Sequence, residues 1–376
     1  MASIVIIGLS ITSSWGNGHA TTYRGLVKGL AARGHQVTFL ERNAPWYAEH
    51  RDQPRSPYAR VALYRSLCDL QRRFCGIVRD ADAVIVGSFV PDGIAVGEWA
   101  IARASGPVAF YDIDTPVTLA SLEAGTCNYL NADLIAQYDI YLSFTGGPVI
   151  DMLIDMGSPR AAPLYCSFDP GTHRPADVRK KWALGYLGTY AADRQSSVEE
   201  MLFSCARKLP EKVFVCAGPL YPGEIDWPAN VKHIPHLAPA AHPRFYCAQK
   251  FTLNITRRDM RALGWSPSVR LFEAAACGVP IISDEWAGIE NFFAPKQEIL
   301  IAESGDDVFR ILNEITPGRR AVLGQAARRR ALKSHTAAHR ARELEQLLEL
   351  ADERGSPKRS AKKGAGKLME RSLAPT

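Results

Sequence analysis

Near the start of the chain, Ser3-Ile4-Val5-Ile6-Ile7-Gly8-Leu9 is an apolar run with no polar residue alternating through its centre. A strand with one wet face alternates polar and apolar side chains. An unbroken run implies burial on both faces, the condition of a strand inside a parallel sheet covered by helices. The pattern returns in QVTFLER, AVIVGSFV (83–90) and PVAFYDIDTP (107–116), and again in LGYLGT (184–189), VFVCAGPLYP (213–222) and FTLNITRRDM (251–260). Helical stretches such as TTYRGLVKGLAARG and IAVGEWAIARA lie between them. This alternation confines the chain to an α/β architecture with crossover connections. With 376 residues, it is long enough for two domains that each bury a core.

The formal net charge of +6 invites a nucleic-acid reading until it is located. From Arg354 onward there are seven Lys or Arg against one Glu, which accounts for the whole excess. A tail of that composition reads as disordered and solubilising, with weak contact to an anionic surface as its one binding role, so nucleic acid is not expected as the primary partner. Eight scattered cysteines without a CxxC pair read as thiols of a reducing compartment. The apolar start is too short for a membrane span and lacks a basic flank, so it reads as a strand, not a signal peptide, and a cytoplasmic protein is expected.

After the first strand comes ITSSWGNGHA, in which Gly16 and Gly18 permit close backbone approach to a ligand and the helix start beside His19 offers free N–H groups. The dinucleotide fingerprint is incomplete, although QVTFLER ends in the acidic Glu41 that an NAD site would use. The spacing of Val61, Leu63, Tyr64, Leu67, Leu70 and Phe74 predicts an amphipathic helix through SPYARVALYRSLCDLQRRF. Asp112 and Asp114 are two apart in an extended segment, which predicts two carboxylates on one side, able to line a cleft or hold a divalent ion. YDIYLSFTGGP (138–148) ends in a Gly pair, and the Pro- and Gly-rich PLYCSFDPGTHRP (163–175) reads as an interdomain linker.

In the second half, Arg194 begins a helix after the strand that contains Gly188, and FTLNITRRDM (251–260) reads as a strand ending in Asn254, Thr256, Arg257 and Arg258. NVKHIPHLAP carries His233 and His236, three apart around a Pro, a poor metal pair. From Trp265 to Phe293 the chain reads as helix, turn, buried strand and loop. Apolar positions recur from Val269 to Ala276, Gly278 ends the helix, and Asp284, Glu285, Gly288 and Glu290 follow the strand Val279–Ile282. ARRRALKSHTAAHRARELEQLLELAD reads as one long amphipathic helix, in which His335 and His339 are solvated or capping.

FEAAACGVPIISD followed by GIENFF resembles the donor segment of GT-B glycosyltransferases, most closely the CgeB-like branch, in which DxDTP also stands where Asp112–Pro116 stand here. The resemblance spans most of residues 1–350. It implies two Rossmann-like, doubly wound domains facing a central cleft, with an acceptor-side domain over 1–170 and a donor domain over 171–335. A terminal helix over 336–353 would cross back to brace the first domain, with the tail over 354–376. A nucleoside-diphosphate sugar would be the donor substrate, with no metal or other cofactor required, and the acceptor is left open. By the same resemblance His19 is the catalytic base, oriented with the acceptor by Asp112 and Asp114. Arg194, Arg257 and Arg258 would meet the diphosphate, the backbone near His236 the base and Glu273 the ribose, with Gly188, Gly288 and Glu290 completing the donor site. Trp265 stands where related enzymes have a first, sugar-binding glutamate. A nucleotide-sugar epimerase of the same fold and a non-catalytic glycan- or partner-binding protein remain as alternatives.

Overall fold

The computed structural model describes residues 1–16 and 18–349, so the tail expected over 354–376 lies outside the described residues. Among those residues the strands form two all-parallel sheets. The first contains β1 (Ser3–Gly8), β2 (Gln36–Arg42), β3 (Arg60–Tyr64), β4 (Ala83–Gly87), β5 (Val108–Asp112), β6 (Ile140–Ser143) and β7 (Ala161–Pro163), in the order β3-β2-β1-β4-β5-β6-β7. The second contains β8 (Trp182–Leu187), β9 (Phe214–Ala217), β10 (Val231–Ile234), β11 (Gln249–Asn254), β12 (Ile281–Ser283) and β13 (Leu300–Ile301), in the order β10-β9-β8-β11-β12-β13. Each chain path runs outward from a central strand and then returns to its other side. The reversal leaves a crevice at the carboxyl ends of β1 and β4 in one sheet and of β8 and β11 in the other.

Ile4, Val5, Ile6 and Ile7 are fully buried, as a strand covered on both faces requires. The helix expected through residues 56–74 is instead two elements. Arg60–Tyr64 pairs with β2 as an edge strand, and only Leu67–Asp80 is helical, capped by the Ser66 hydroxyl, which accepts from the Asp69 amide at 3.1 Å. Val61, Leu63 and Tyr64 are β-branched or large residues that suit a pleated surface, and the neighbouring strand outweighed their helical spacing.

The long terminal helix read from the sequence is likewise two helices. Pro317–Ser334 packs on the second domain, where Arg328 donates to the Ala276 carbonyl at 3.1 Å. The chain then breaks at His335 and Thr336, and Ala337–Leu347 lies on the first domain. His335 is not solvated: it is buried, stacked on Phe272 at 4.5 Å and bonded to Arg340. At the crossing, the outgoing linker and the returning segment hold each other, since the Ala337 amide donates to the Phe168 carbonyl at 2.8 Å.

Helix His19–Ala32 receives the returning helix through two glycines one turn apart. A Cβ on Gly25 would stand 3.1 Å from the Ala337 Cβ, and one on Gly29 would stand 2.8 Å from the Ala341 Cβ and 2.9 Å from the Ala337 carbonyl oxygen. Arg33 and His35 close the end of this contact on Glu345. No described helix is both long and apolar enough to cross a membrane.

Gly29→Leu should therefore force the helices apart and lower stability by about 1–3 kcal/mol, the usual cost of overpacking. Gly76→Ala, inside Leu67–Asp80 with open space around it, should instead raise stability by about 0.5–1 kcal/mol. Melting midpoints of the two variants, measured beside the parent, should move in opposite directions.

Candidate active site

The carboxyl ends of the two sheets face one another across a cavity of about 330 Å³ lined by both domains. Ser14, Gly16, Gly18, His19 and Asp114 line it from the first domain, and Gly188, Arg194, His236, Arg257, Arg270 and Glu273 from the second. Nine of the residues singled out in the sequence are thus brought to one cavity. Asp112, Arg258, Gly288 and Glu290 do not line it.

On the first-domain wall, the loop after β1 is held by Glu41. Its carboxylate accepts from the Ile11 and Thr12 amides at 2.7 and 3.0 Å and from the Thr12 hydroxyl at 2.5 Å. This explains why the acidic end of β2 does not serve a dinucleotide ribose: every oxygen of Glu41 is already engaged in shaping the loop. Asp52 ties the same loop from outside, accepting from Ser14 and from both terminal nitrogens of Arg24. Gly16 has φ +67°, and added Cβ atoms at Gly16 and Gly18 would meet open space, so a ligand has backbone access there.

His19 opens its helix, buried and edge-on to Phe89, with Nδ1 lacking a hydrogen-bond partner. Burial lowers its pKa to about 4, which keeps the imidazole neutral and its lone pair available. Asp112 cannot orient it. The Asp112 carboxylate lies beneath the wall, fully buried, accepting from Tyr141 at 2.5 Å, Thr118 at 2.9 Å and the Asp114 amide at 3.2 Å. β5 ends at Asp112 and Asp114 stands at the start of the next helix, Thr115–Glu123, without a capping bond from its side chain, so the two residues are not in one extended segment. Asp114 alone reaches the cavity. Burial, with a contribution from Asp112, raises its pKa to about 6 against the opposing pull of Arg257, whose Nη1 is 3.6 Å away. No hydrogen bond among the described residues joins His19 to either aspartate.

On the second-domain wall, Arg194 donates to the Thr189 carbonyl at 2.7 Å, and Arg257 reaches Asp114 and, at 3.7 Å, Asp193. Each retains a buried Nε without a hydrogen-bond partner, an arrangement suited to an incoming anion. Arg258 is exposed and does not line the cavity; its backbone amide donates to Asp193 at 3.2 Å. His236 stands exposed on the rim. Gly188 leaves room for two side-chain ends, because a Cβ there would lie 2.9 Å from the Arg270 guanidinium and 2.7 Å from the Tyr186 hydroxyl.

Arg270 was not anticipated from the sequence. It is buried on the face of Tyr186, 4.8 Å from the ring centre, and bonds the Leu187 carbonyl and the Asn254 side chain, the latter at 2.8 Å. The signal was present, since Arg270 and Glu273 are three apart in helix Val269–Ala276 and so share a face. Glu273 is almost fully buried. Tyr246 donates to its Oε2 at 3.1 Å, and His173 and His242 stand 3.4 and 3.3 Å from Oε1 and Oε2. Burial opposes ionisation of Glu273, but these neighbours outweigh it and hold the carboxyl down to about 2.

Gly288 and Glu290 follow β12 into a separate depression. Gly288, at φ +87°, makes room for Trp265: a Cβ there would lie 2.5 Å from the indole ring. Gly147 of the first domain stands against the other part of the same ring, where a Cβ would lie 2.4 Å away, and the Gly146 amide donates to the Trp265 carbonyl at 3.0 Å. The Trp265 ring is thus an interdomain wedge.

The His19 imidazole should titrate near pH 4 in the folded chain, read by NMR of its ring protons, where an exposed histidine titrates near 6.5. Because the folded pKa lies below the unfolded one, the unfolded chain takes up the proton first. Stability from this group is present above about pH 6.5 and is lost progressively as pH falls to about 4. His19→Phe should remove that part of the acid sensitivity.

Residues 194–346 match the model of a glycosyl transferase-like family. No curated protein matches the chain. Among solved structures, sucrose-phosphate synthase from Thermosynechococcus elongatus superposes with a TM-score of 0.66 at 13% identity, over 93% of this chain and 99% of that one. Anabaena HepE in complex with UDP and glucose gives 0.68 at 11% identity, over 93% and 100%. An alpha-glucosyltransferase in complex with UDP-glucose and DNA containing an abasic site gives 0.70 at 12%, over 93% and 99%. At these identities the likeness is one of fold: the chain has the GT-B architecture, two Rossmann-like domains whose parallel sheets face one cleft.

Proposed function

We propose that the protein transfers a glycosyl group from a nucleoside-diphosphate sugar to an acceptor bound on the first domain. The observation that carries this reading is the pairing of two half-buried arginines, Arg194 and Arg257, each with a buried Nε that makes no hydrogen bond, with Glu273 in one cavity at the crevice of the second sheet. The family match over residues 194–346 covers this wall, and HepE, a neighbour in fold, is described with UDP-glucose. The diphosphate would lie against Arg194 and Arg257, the ribose hydroxyls would donate toward Glu273, and Arg270 would keep the β8 and β11 ends in place. Fixed positive charge at the departing diphosphate acts mainly in the transition state, in a site shielded from water. Across the cleft, neutral His19 would accept the proton of the attacking hydroxyl, and Asp114, close to Arg257, would set the spacing between acceptor and donor. Direct displacement with His19 as base inverts the anomeric carbon. A retained configuration in the product would leave His19 a positioning role.

A thermal-shift panel of UDP-, GDP-, ADP- and TDP-sugars should reveal one nucleotide that stabilises the chain, since a ligand bound only to the folded state raises its melting point. Arg194→Ala and Arg257→Ala should then lower turnover more than donor affinity, because the charge they remove is needed most as the diphosphate leaves. Glu273→Gln should weaken nucleotide binding about ten-fold or more, the loss of a charge-assisted contact. Unchanged turnover in both arginine variants would overturn the assignment of this wall.

A further inference from the structure

We infer that His173, His242 and Glu273 form a binding site for one divalent transition-metal ion, most suitably Zn²⁺, at the junction of the interdomain linker with the donor wall. The three donors come from separate parts of the chain: the linker between β7 and β8, helix His242–Cys247 and helix Val269–Ala276. One ligand atom from each lies within 4.8 Å of the others. His173 Nε2 stands 3.4 Å from Glu273 Oε1 and His242 Nδ1 3.3 Å from Oε2, so each imidazole faces its own oxygen of the one carboxylate at the spacing of neighbouring donors around an ion. Bonds of about 2.0–2.2 Å place neighbouring donors about 3.3–3.6 Å apart.

The state of the ring nitrogens favours a cation over hydrogen bonding. His242 Nε2 is 3.3 Å from the Leu237 carbonyl, which can only accept, so Nε2 carries the proton. In the neutral ring Nδ1 is then a bare lone pair directed toward the Glu273 carboxylate, 3.3 Å away, and it makes no hydrogen bond. His173 is 2% exposed, and neither of its ring nitrogens has a hydrogen-bond partner. Glu273 takes a hydrogen bond from Tyr246, while the imidazole nitrogens that face it have no hydrogen-bond partner, so a cation between them would take up both ring lone pairs and a carboxylate oxygen as one coordination set. Imidazole and carboxylate together suit Zn²⁺, and the His242–Leu237 contact is the outer bond that fixes a ligating tautomer. His242 and Glu273 also line the cleft, which leaves a fourth position for water or a ligand hydroxyl. The ion would pin the linker to the donor wall and hold Glu273 in one orientation. It takes no part in the group transfer proposed above, and this inference does not rest on that reading.

The test uses the full chain, stripped with a chelator and dialysed against Zn²⁺ or Co²⁺. About one equivalent should remain by elemental analysis, and the Co²⁺ form should show the visible bands of a four- or five-coordinate site. His173→Ala and His242→Ala, checked for folding by circular dichroism, should each reduce retained metal at least ten-fold. Tyr246→Phe, which leaves the three donors in place, should retain it. A parent chain that keeps no metal, or a folded His173→Ala that keeps as much as the parent, would overturn the inference. UDP calorimetry on the same samples separates the two readings, since loss of metal and loss of nucleotide binding are scored independently.

Discussion

The cleft depends on how closely the two domains are locked together at points away from it. Helix His19–Ala32 and helix Ala337–Leu347 approach so tightly that a Cβ on Gly29 would strike the Ala337 carbonyl and one on Gly25 would press on the Ala337 Cβ. Near the cleft, Trp265 is held between Gly147 and Gly288. Both contacts place a side chain of one domain against bare backbone of the other, where any added methyl would push the sheets apart. Because the linker at Phe168 and the returning segment at Thr336 also pair, both chain crossings converge on one place. The facing of two crevices is thus a packing result before it is a chemical one.

Within that frame the cleft is divided by charge and by water access. The second-domain wall carries Arg194, Arg257 and Arg270, each steadied by a carbonyl, an amide oxygen or a nearby carboxylate and two of them retaining an unbonded Nε. The first-domain wall carries a histidine held neutral by burial and an aspartate whose ionisation burial resists. An anion is favoured on one side and a neutral, proton-bearing group on the other. That asymmetry suits a charged leaving group facing a hydroxyl nucleophile. Arg257, 3.6 Å from Asp114, is where the walls meet.

Much of the architecture could be read from local pattern. Unbroken apolar runs mean strands buried on both faces, so the parallel sheets follow from Ile4–Ile7 and its counterparts without knowledge of any partner. Gly-rich strand ends and cationic helix starts mark the crevices, and His19, Arg194 and Arg257 reach the cavity because chain topology places those ends there. Local pattern failed where a neighbour changed the outcome. Arg60–Tyr64 became a strand because β2 was beside it, and the terminal helix broke at His335 because the chain has to cross between domains.

What the sequence determined by itself was therefore the alternation of strands and helices and the chemical types available at their ends. Only the tertiary structure decided which of those groups face ligand and which serve the scaffold. Asp112 and Asp114 look equivalent in a line of residues, yet Tyr141 and Thr118, both distant along the chain or on the next helix, engage one and leave the other at the cavity wall. Gly288 looks like a ligand approach and instead accommodates an indole. His173 and His242 sit far apart along the chain, in segments with no metal-binding spacing, and become neighbours of Glu273 only when the linker folds against the donor wall. A side chain's partners are set by contacts across the fold, and no local periodicity encodes those distances.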